Sequence, residues 1–334
     1  MRISFVGGGT DLPDFYRRSP GRVISTAINQ FVSIVVHRTP YVDKISARYS
    51  LSETVDRPHD LEHPIIRAAL LDLGINKGIE IASFGSLSAK MGLGSSSSFS
   101  VALLKGLHAF QGKKLDRAEV AEAACRLEID LLNQPIGKQD QYAAAFGGFN
   151  IFQFNPDGTV DVEPILLDYQ KRSALEKHIL LFFTGLTRSA AAVLSEQRSN
   201  IDAKFGTLQK MAESVYEFKE QLLKGNWPVL GAMLHEGWQQ KRSLASTISN
   251  SVIDQLYLKG MEAGAWGGKV LGAGGGGCVM FLADPERQEY IKQAVSVVAR
   301  DNHLEDFRHI SVKFVQSGAE VLFNGDGHFN SHLI

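Results

Sequence analysis

The sequence predicts an α+β fold in two domains, and three observations lead to that class. The 334 residues exceed the roughly 150 expected of one domain. The apolar run HILLFFTG, residues 178–185, predicts a buried strand near the middle of the chain. Residues 267–315 alternate strand, turn, strand, helix and strand, which is typical of an antiparallel sheet carrying helices. We therefore expect domains at 1–170 and 171–334.

Short apolar runs predict the strands of the first third of the chain. Residues 2–6, 22–28, 32–37 and 79–84 are rich in β-branched and aromatic side chains. Apolar spacing over 61–73 instead indicates one amphipathic helix. The first domain is thus expected to begin as a sheet.

Helices and a hairpin are predicted to complete the first domain. The helical spacing covers 96–110, 117–132 and 138–146. The segment GGFNIFQFNPDGTVDVEPI, 147–165, alternates in polarity around a PDG turn signal. That pattern predicts two antiparallel strands.

The second domain is predicted to contain several helices before its sheet. The pattern over 188–223 is helical and charged, and 227–235 and 251–263 add two helices. A helix over 285–298 then precedes a last strand in ISVKFV, 310–315. No internal repeat interrupts this order.

Composition and charge exclude several classes of protein. Thirty-five basic residues face thirty-six acidic ones, so the overall charge gives no reason to expect nucleic acid as a partner. No run approaches the roughly 18 apolar residues of a membrane span, and the start turns glycine-rich too early for a secretory signal. Cys125 and Cys278 lie outside any CxxC pattern and are predicted to be buried thiols. We expect a cytoplasmic protein without a membrane partner.

The string MGLGSSSS, 91–98, is predicted to bind an anion. Gly92 and Gly94 permit positive φ angles, and the serines can cap the helix that follows. Free N–H groups and the helix dipole favour a phosphate there. The segment lacks the GxxxxGK[ST] pattern of a Walker loop, and a plain glycine turn with a serine cap is the alternative. The residues of this candidate phosphate site are Gly92, Leu93, Gly94, Ser95, Ser96, Ser97 and Ser98.

Two further glycine-rich segments are candidates for substrate contact. In GGGTD, 7–11, Thr10 and Asp11 offer groups suited to sugar hydroxyls, although a turn that bonds its own backbone explains them equally. Leu12 and Pro13 follow where a dinucleotide-binding helix would need a third glycine, so a Rossmann site is not expected. In GAGGGG, 272–277, the backbone is expected to lie flat against a ligand or another segment, unless it is a flexible loop. The glycines proposed for these contacts are Gly8, Gly9, Gly274, Gly275 and Gly276.

Charged residues near the helix starts provide the remaining candidates. Asp140 is either a functional acid or a charge stabilised by the helix dipole. Glu128 lies on a small, apolar helix face, where it is either a cation ligand or a solvated acid. Lys138 is either a charge stabiliser or a surface lysine. Arg188, in TGLTRS, follows a predicted strand at a helix start and is either an anion-binding group or a surface arginine.

The three glycine-rich motifs, RISFVGGGTD, GLGSSSS and GAGGGG, occur in the order found in the GHMP kinases, and the chain resembles that superfamily over nearly its whole length. With PIGKQDQYAAAFGGFN and FFTGLTRSA, it looks most similar to the bacterial D-glycero-D-manno-heptose 7-phosphate kinases. Fucokinase-type enzymes are close relatives. The resemblance implies a two-domain fold, with a left-handed β-α-β unit in the first domain and a ferredoxin-like α+β second domain.

The resemblance also implies roles for individual residues. The segment 92–98 would wrap the phosphates of ATP, and Ser96 with Glu128 would hold Mg²⁺. Asp140 would accept the proton of the attacking hydroxyl beside Arg2. The first glycine-rich segment would face the sugar, and the last would support the site from the second domain.

These roles imply a sugar kinase that uses ATP and Mg²⁺, with heptose 7-phosphate as the leading substrate. The product would then be used to make nucleotide-activated heptose. The alternatives are another sugar-1-kinase and a silent sugar- or nucleotide-binding regulator. The sequence leaves the oligomeric state and the adenine contacts open. Relatives usually have several residues before the arginine, whereas only Met1 precedes Arg2, so we expect a shortened first strand or a start further upstream.

Overall fold

The α+β class is confirmed by a computed structural model, which describes residues 1–86 and 91–325. Residues 326–334, the end of the predicted second domain, lie outside that range. The described residues contain both helices and antiparallel sheets in two halves. None of their helices has the length and hydropathy needed to cross a bilayer.

Strands and helices are numbered in chain order within the described residues. The strands are β1 (Arg2–Val6), β2 (Gly21–Ala27), β3 (Val32–Arg38), β4 (Ile45–Arg48), β5 (Ser52–Val55), β6 (Ile79–Gly85), β7 (Phe149–Phe154), β8 (Val160–Pro164), β9 (Ile179–Phe183), β10 (Ala265–Val270), β11 (Cys278–Ala283) and β12 (Arg308–His309). The helices are α1 (Pro13–Tyr16), α2 (Pro64–Asp72), α3 (Ser95–Phe110), α4 (Arg117–Cys125), α5 (Gln139–Phe146), α6 (Tyr169–His178), α7 (Ala190–Ser199), α8 (Ile201–Lys224), α9 (Trp227–Arg242), α10 (Ser251–Glu262) and α11 (Gln288–Asp301).

Three four-stranded sheets organise these elements. The first has the order β1-β2-β7-β8 and the second β3-β6-β4-β5. In the second sheet β4 and β6 run parallel, with α2 in the connection between them, whereas β3 with β6 and β4 with β5 are antiparallel. The third sheet, β10-β11-β9-β12, is antiparallel and belongs to the second half of the chain.

The two halves share one apolar core. Ile3 and Phe5 of the first sheet and Leu181 and Met280 of the third sheet belong to the same cluster, together with Phe218 of α8. All five side chains are at most 1% exposed. A second core packs α3, α4 and α5 between the first and second sheets, and a third packs α10 and α11 on the far side of the third sheet. Because the first core is continuous, each half positions the loops of the other.

Most predicted elements occur, and the differences have physical causes. The hairpin β4–β5 and helix α6 were not predicted, because their short runs carry no clear period. The predicted strand at 310–315 joins the third sheet only at its start, where β12 covers Arg308–His309 and the Ile310 N–H donates to the Leu181 carbonyl at 2.8 Å. The Val315 N–H donates to the Ala27 carbonyl at 3.1 Å, so this segment crosses to the end of β2. Its alternating residues Val312 and Phe314 are buried in the shared core, which explains the strand-like pattern.

The packing of α9 on β10 predicts a stability difference between two glycines. A Cβ on Gly231 of α9 would lie 2.4 Å from the Trp266 Cβ, whereas a Cβ on Gly206 of α8 would meet no atom within 4 Å. We expect Gly231→Ala to lower the free energy of unfolding by about 1–3 kcal/mol, the usual cost of overpacking. Gly206→Ala should raise it by about 0.5–1 kcal/mol through helix propensity. Urea titrations of both variants measure this, and equal effects would contradict the packing.

Candidate active site

The segment 91–94 forms the turn that leads into α3. Gly92 and Gly94 have φ angles of 78° and 72°, which favour glycine. Gly94 occupies the N-cap position and no side chain caps the helix, so the predicted serine cap is wrong. The serines instead form the first helical turn, where main-chain N–H groups have no acceptor within an α-helix. These N–H groups and the helix dipole suit an anion.

The Arg2 side chain connects β1, α5 and this turn. Its Nε and Nη2 donate to the two oxygens of Asp140 at 2.7 and 2.8 Å, and its Nη1 donates to the Gly92 carbonyl at 2.7 Å. The Arg2 side chain is 3% exposed and that of Asp140 is 25% exposed. The carboxylate is therefore held from its buried side and remains open on the other.

The N-terminal end of β1 is anchored. The Met1 ammonium donates to the Gln30 carbonyl at 2.8 Å, and the Ile28 N–H donates to the Met1 carbonyl at 3.0 Å. Burial, with the nearby Arg2 charge, lowers the pKa of this ammonium to about 6. Arg2 therefore begins a paired strand even though only one residue precedes it.

Asp11 fixes the GGGTD loop against the start of α5. Its carboxylate accepts hydrogen bonds from the N–H groups of Gly9 and Gln139 at 3.1 and 3.2 Å. Burial raises the pKa of Asp11, and the Asp140 charge raises it further, while these hydrogen bonds oppose the shift. The Thr10 hydroxyl is fully buried and bonds to main-chain atoms of Gly7 and Arg22. Thr10 thus bonds the backbone of its own turn, which is the second of the two interpretations that the sequence allowed.

Glu128 lies in a π-helical turn, residues 126–131, which replaces the predicted regular end of the helix after α4. It is 2% exposed and accepts hydrogen bonds from Ser96 Oγ at 3.3 Å and Gln141 Nε2 at 2.7 Å. Burial is the main cause that raises its pKa. The Ser98 hydroxyl and the second amide atom of Gln141, Oε1, are buried and have no partner among the described residues.

This arrangement fits Mg²⁺ bound together with phosphates. Mg²⁺ sites of this kind use one or two carboxylates plus substrate oxygens. The Glu128 carboxylate and the Ser96 hydroxyl would be the protein ligands, and Gln141, whose Nε2 bonds Glu128, leaves its Oε1 without a partner among the described residues. In the described part of the chain no group of three His, Cys, Asp or Glu residues could hold a metal by itself.

The GAGGGG loop packs directly on the turn before α3. A Cβ on Gly272 would lie 2.7 Å from the Gly92 Cα, and a Cβ on Gly277 would lie 2.7 Å from the Met91 carbonyl oxygen. This backbone was expected to lie flat against a ligand or another segment. It lies against another segment, the main chain of residues 91–92. The remaining glycines pack on other main chain: Gly274 on Ile248, Gly275 on Thr247 and Gly276 on Leu186.

Two predicted site residues lie apart from the Arg2–Asp140 pair. The Lys138 ammonium donates to Glu122 at 3.0 Å and to the Gly158 carbonyl at 2.9 Å. Arg188 donates to the Thr247 carbonyl at 3.1 Å and packs along the outside of the GAGGGG loop. Neither contact involves Asp140.

Two buried lysines of the second half were missed by the sequence analysis. Lys241, in the last turn of α9, donates to the Gly272 carbonyl, and Lys269 of β10 donates to the Phe5 carbonyl at 2.7 Å. They are 6% and 5% exposed. A lysine inside the apolar run GGKVL was a visible signal for Lys269, whereas WQQKR gave none for Lys241.

The burial of Glu128 predicts opposite effects of Glu128→Gln on stability and on Mg²⁺ binding. Its raised pKa means that the folded state holds the proton more tightly than the unfolded chain, so stability falls as the pH rises above 4.5. The metal-free variant should therefore melt above the wild type at pH 7, with a smaller gain at more acidic pH, while it lacks the carboxylate that would hold Mg²⁺. Thermal melts across pH measure this, and Glu217→Gln, at an exposed position of α8, is the control. A lower melting temperature at pH 7 would contradict the burial argument.

Comparisons with known proteins agree with this geometry. The family model described as GHMP kinases N terminal domain matches residues 63–148, and that described as GHMP kinases C terminal matches 218–298. The D-glycero-alpha-D-manno-heptose 7-phosphate kinase of Campylobacter jejuni is 25% identical over 321 residues, which are 92% of this chain and 94% of the relative. The bifunctional fucokinase/GDP-fucose pyrophosphorylase of Arabidopsis thaliana is 26% identical over 88% of this chain and 30% of its own length.

Solved structures share the fold. A D-glycero-D-manno-heptose 1-phosphate kinase from Bacteroides thetaiotaomicron superposes with a TM-score of 0.77 at 24% identity, and 95% of each chain is covered. A phosphomevalonate kinase of Streptococcus pneumoniae superposes with a TM-score of 0.74 at 14% identity, covering 94% of this chain and 98% of that one. The two matched models together span half of the sequence, one in each half of the fold. The chain therefore belongs to the GHMP kinase family and is a two-domain kinase of that family.

Proposed function

We propose that the chain transfers the γ-phosphoryl group of ATP to the anomeric hydroxyl of D-glycero-D-manno-heptose 7-phosphate, giving the 1,7-bisphosphate. One observation carries the proposal: Arg2 holds the Asp140 carboxylate and the Gly92 carbonyl at the same time. A base for the acceptor hydroxyl is thus fixed beside the candidate phosphate site.

The first turn of α3 binds the phosphates in this proposal. Its main-chain N–H groups point along the helix axis toward the turn at 91–94, and Gly92 and Gly94 let a ligand approach the backbone closely. Ser96 and Glu128 would hold Mg²⁺, which supplies charge neutralisation for the phosphate oxygens when bound. Gln141 orients the Glu128 carboxylate through its 2.7 Å hydrogen bond.

Asp140 takes the proton of the sugar's anomeric hydroxyl while the bond between that hydroxyl oxygen and the γ-phosphorus forms. The bond between that phosphorus and the bridging oxygen breaks, and the electron pair leaves with ADP. Arg2 occupies the buried side of the carboxylate, so the open side faces the acceptor. An anomeric hydroxyl is more acidic than an ordinary alcohol, and a carboxylate is a sufficient base.

The GGGTD loop would face the sugar. Gly8 and Gly9 are buried, so a sugar would meet this loop through its main chain, and Asp11 holds the loop on the start of α5 through the N–H groups of Gly9 and Gln139. Asp11 and Asp140 lie close enough that the charge of Asp140 raises the pKa of Asp11. The loop is therefore adjacent to the proposed base.

Relatives support heptose as the substrate class. Two are named for it, one as a heptose 7-phosphate kinase and one as a heptose 1-phosphate kinase. A fucokinase-type relative keeps another sugar-1-kinase as the second candidate. A silent regulator is less well supported, because Ser96, Glu128 and Asp140 are present with their partners in contact. The proposal places the enzyme in the cytoplasm, in the supply of nucleotide-activated heptose.

A coupled ADP-release assay tests the reaction and its base. With ATP and Mg²⁺, we expect turnover selective for heptose 7-phosphate over mannose, fucose, galactose and mevalonate. Asp140→Asn should lower kcat by about 10²–10⁴-fold, the usual contribution of a general base. Asp301→Asn, on exposed α11, is the matched control and should retain wild-type turnover. Preference for fucose would select the second candidate, and ATP binding without any turnover would support a regulator.

Arg188 gives a separate prediction about the phosphate of the substrate. If its guanidinium pairs with that phosphate, Arg188→Ala should raise KM for heptose 7-phosphate about tenfold or more, since a hydrogen bond to a charged group contributes about 1.5–3 kcal/mol. The KM for ATP should stay unchanged. Arg300→Ala, on exposed α11, is the control. An unchanged KM for the sugar phosphate would leave Arg188 as a loop-packing residue.

A further inference from the structure

Two buried lysines lie near the Arg2–Asp140 pair. Arg2, Lys241 and Lys269 are at most 6% exposed, and their charges act on one another. Asp11 and Asp140 are the carboxylates that act on Lys241. Arg2 is paired with Asp140, whereas Asp11 is bonded to main-chain N–H groups. Glu128, on which the Asp140 charge also acts, is bonded to Ser96 and Gln141. The two lysines thus differ from Arg2 in having no carboxylate partner among the described residues, and an anionic ligand could supply one.

Lys241 is better suited than Lys269 to carry that charge. Within the part of the chain that the structure describes, each ammonium donates to a main-chain carbonyl and neither is paired with a carboxylate. Burial, Lys241 and Arg2 lower the pKa of Lys269 well below 10.5. The pKa of Lys241 is lowered to about 8, by burial first and by Arg2 second. Lys241 is thus the lysine that is largely protonated at neutral pH.

Lys241 also lies at the junction of the two glycine loops. Its acceptor is the carbonyl of Gly272, and Gly272 packs on Gly92. Arg2 donates to the carbonyl of Gly92. At this contact Arg2, from the first half of the chain, therefore bonds to the loop that contains Gly92. Lys241, from the second half, bonds to the loop that contains Gly272. An ammonium group has three donors, so one hydrogen bond leaves two for another acceptor.

We propose that Lys241 binds a phosphate group of the substrates, with the transferred γ-phosphoryl group of ATP as the favoured one. The inference rests on the proposed function, because that function brings ATP to the turn at 91–94. It assigns to α9 of the second domain a direct contact with the reacting phosphate. Lys241 stabilises charge there and transfers no proton to the acceptor.

Binding of a phosphate group beside Lys241 should change the protonation of its ammonium group. Without ligand, Lys241 faces Arg2 on β1, Lys269 on β10, Asp11 in the GGGTD loop and Asp140 on α5, and its pKa is about 8. A bound phosphate adds negative charge and raises that pKa. Near pH 8 the enzyme should therefore take up a proton from the solvent when the phosphate binds.

Isothermal titration calorimetry at pH 8, in two buffers of different ionisation enthalpy, measures this uptake. The protein is titrated with Mg²⁺ and a non-hydrolysable ATP analogue, then separately with MgADP, heptose 7-phosphate and free heptose. For the wild type we expect uptake of about half a proton with the ATP analogue, since a group is half protonated at its pKa. Lys241→Met should lack this uptake, and Lys210→Met, on exposed α8, should retain it.

The ligand series separates the two phosphates. Uptake with the ATP analogue but not with MgADP assigns Lys241 to the γ-phosphoryl group. Uptake with heptose 7-phosphate but not with free heptose assigns it to the phosphate of the sugar. Equal uptake by wild type and Lys241→Met with every ligand would overturn the proposal.

A second variant covers the case in which Lys241→Met does not fold, and the nucleotide titrations cover the case in which heptose is not the substrate. If Lys241→Met does not fold, Lys241→Arg replaces it, because an arginine stays charged and should abolish the uptake while keeping a cation. The nucleotide titrations do not depend on which sugar is phosphorylated. Loss of heptose turnover with lysine-dependent uptake intact would therefore contradict the proposed substrate and leave the inference standing.

Discussion

The bidentate contact between Arg2 and Asp140 is the interaction on which the site depends. It joins the first strand to α5, and the same guanidinium reaches the Gly92 carbonyl of the turn before α3. Arg2 is nearly inaccessible to solvent, so removing Asp140 altogether would leave a buried charge unpaired, at a cost of about 3–5 kcal/mol. The geometry that offers a base to a substrate is therefore also part of what holds the fold.

A second constraint is the direct contact of two main-chain segments from different halves of the chain. Gly92 and Gly272 approach so closely that a side chain on Gly272 would overlap its neighbour, and both residues have positive φ angles. The shared core beneath them, between the first and third sheets, keeps the two loops in register. This explains why the glycines occur in two distant segments, and it brings Lys241 of α9 beside them.

The sequence predicted the elements with clear periods and the motifs with unusual composition. Strand β1, helix α3 and the PDG hairpin followed from local patterns, and the resemblance then assigned the roles of Glu128 and Asp140. What local patterns could not predict depends on contacts distant in the chain. The ISVKFV segment alternates like a strand, but it begins on β9 and ends beside the last residues of β2. Lys241 looks like a surface residue until the third sheet buries it.

The open side of the Asp140 carboxylate is expected to face the acceptor hydroxyl. A crystal structure with heptose 7-phosphate, Mg²⁺ and a non-hydrolysable ATP analogue measures this directly. We expect the anomeric oxygen about 2.6–3.2 Å from an Asp140 oxygen, as a general base requires. We also expect the γ-phosphorus beside the turn at 91–94. A sugar bound instead in the cavity lined by Glu122, Lys138 and Tyr142, whose lining does not include Asp140, would show that Asp140 is not the base.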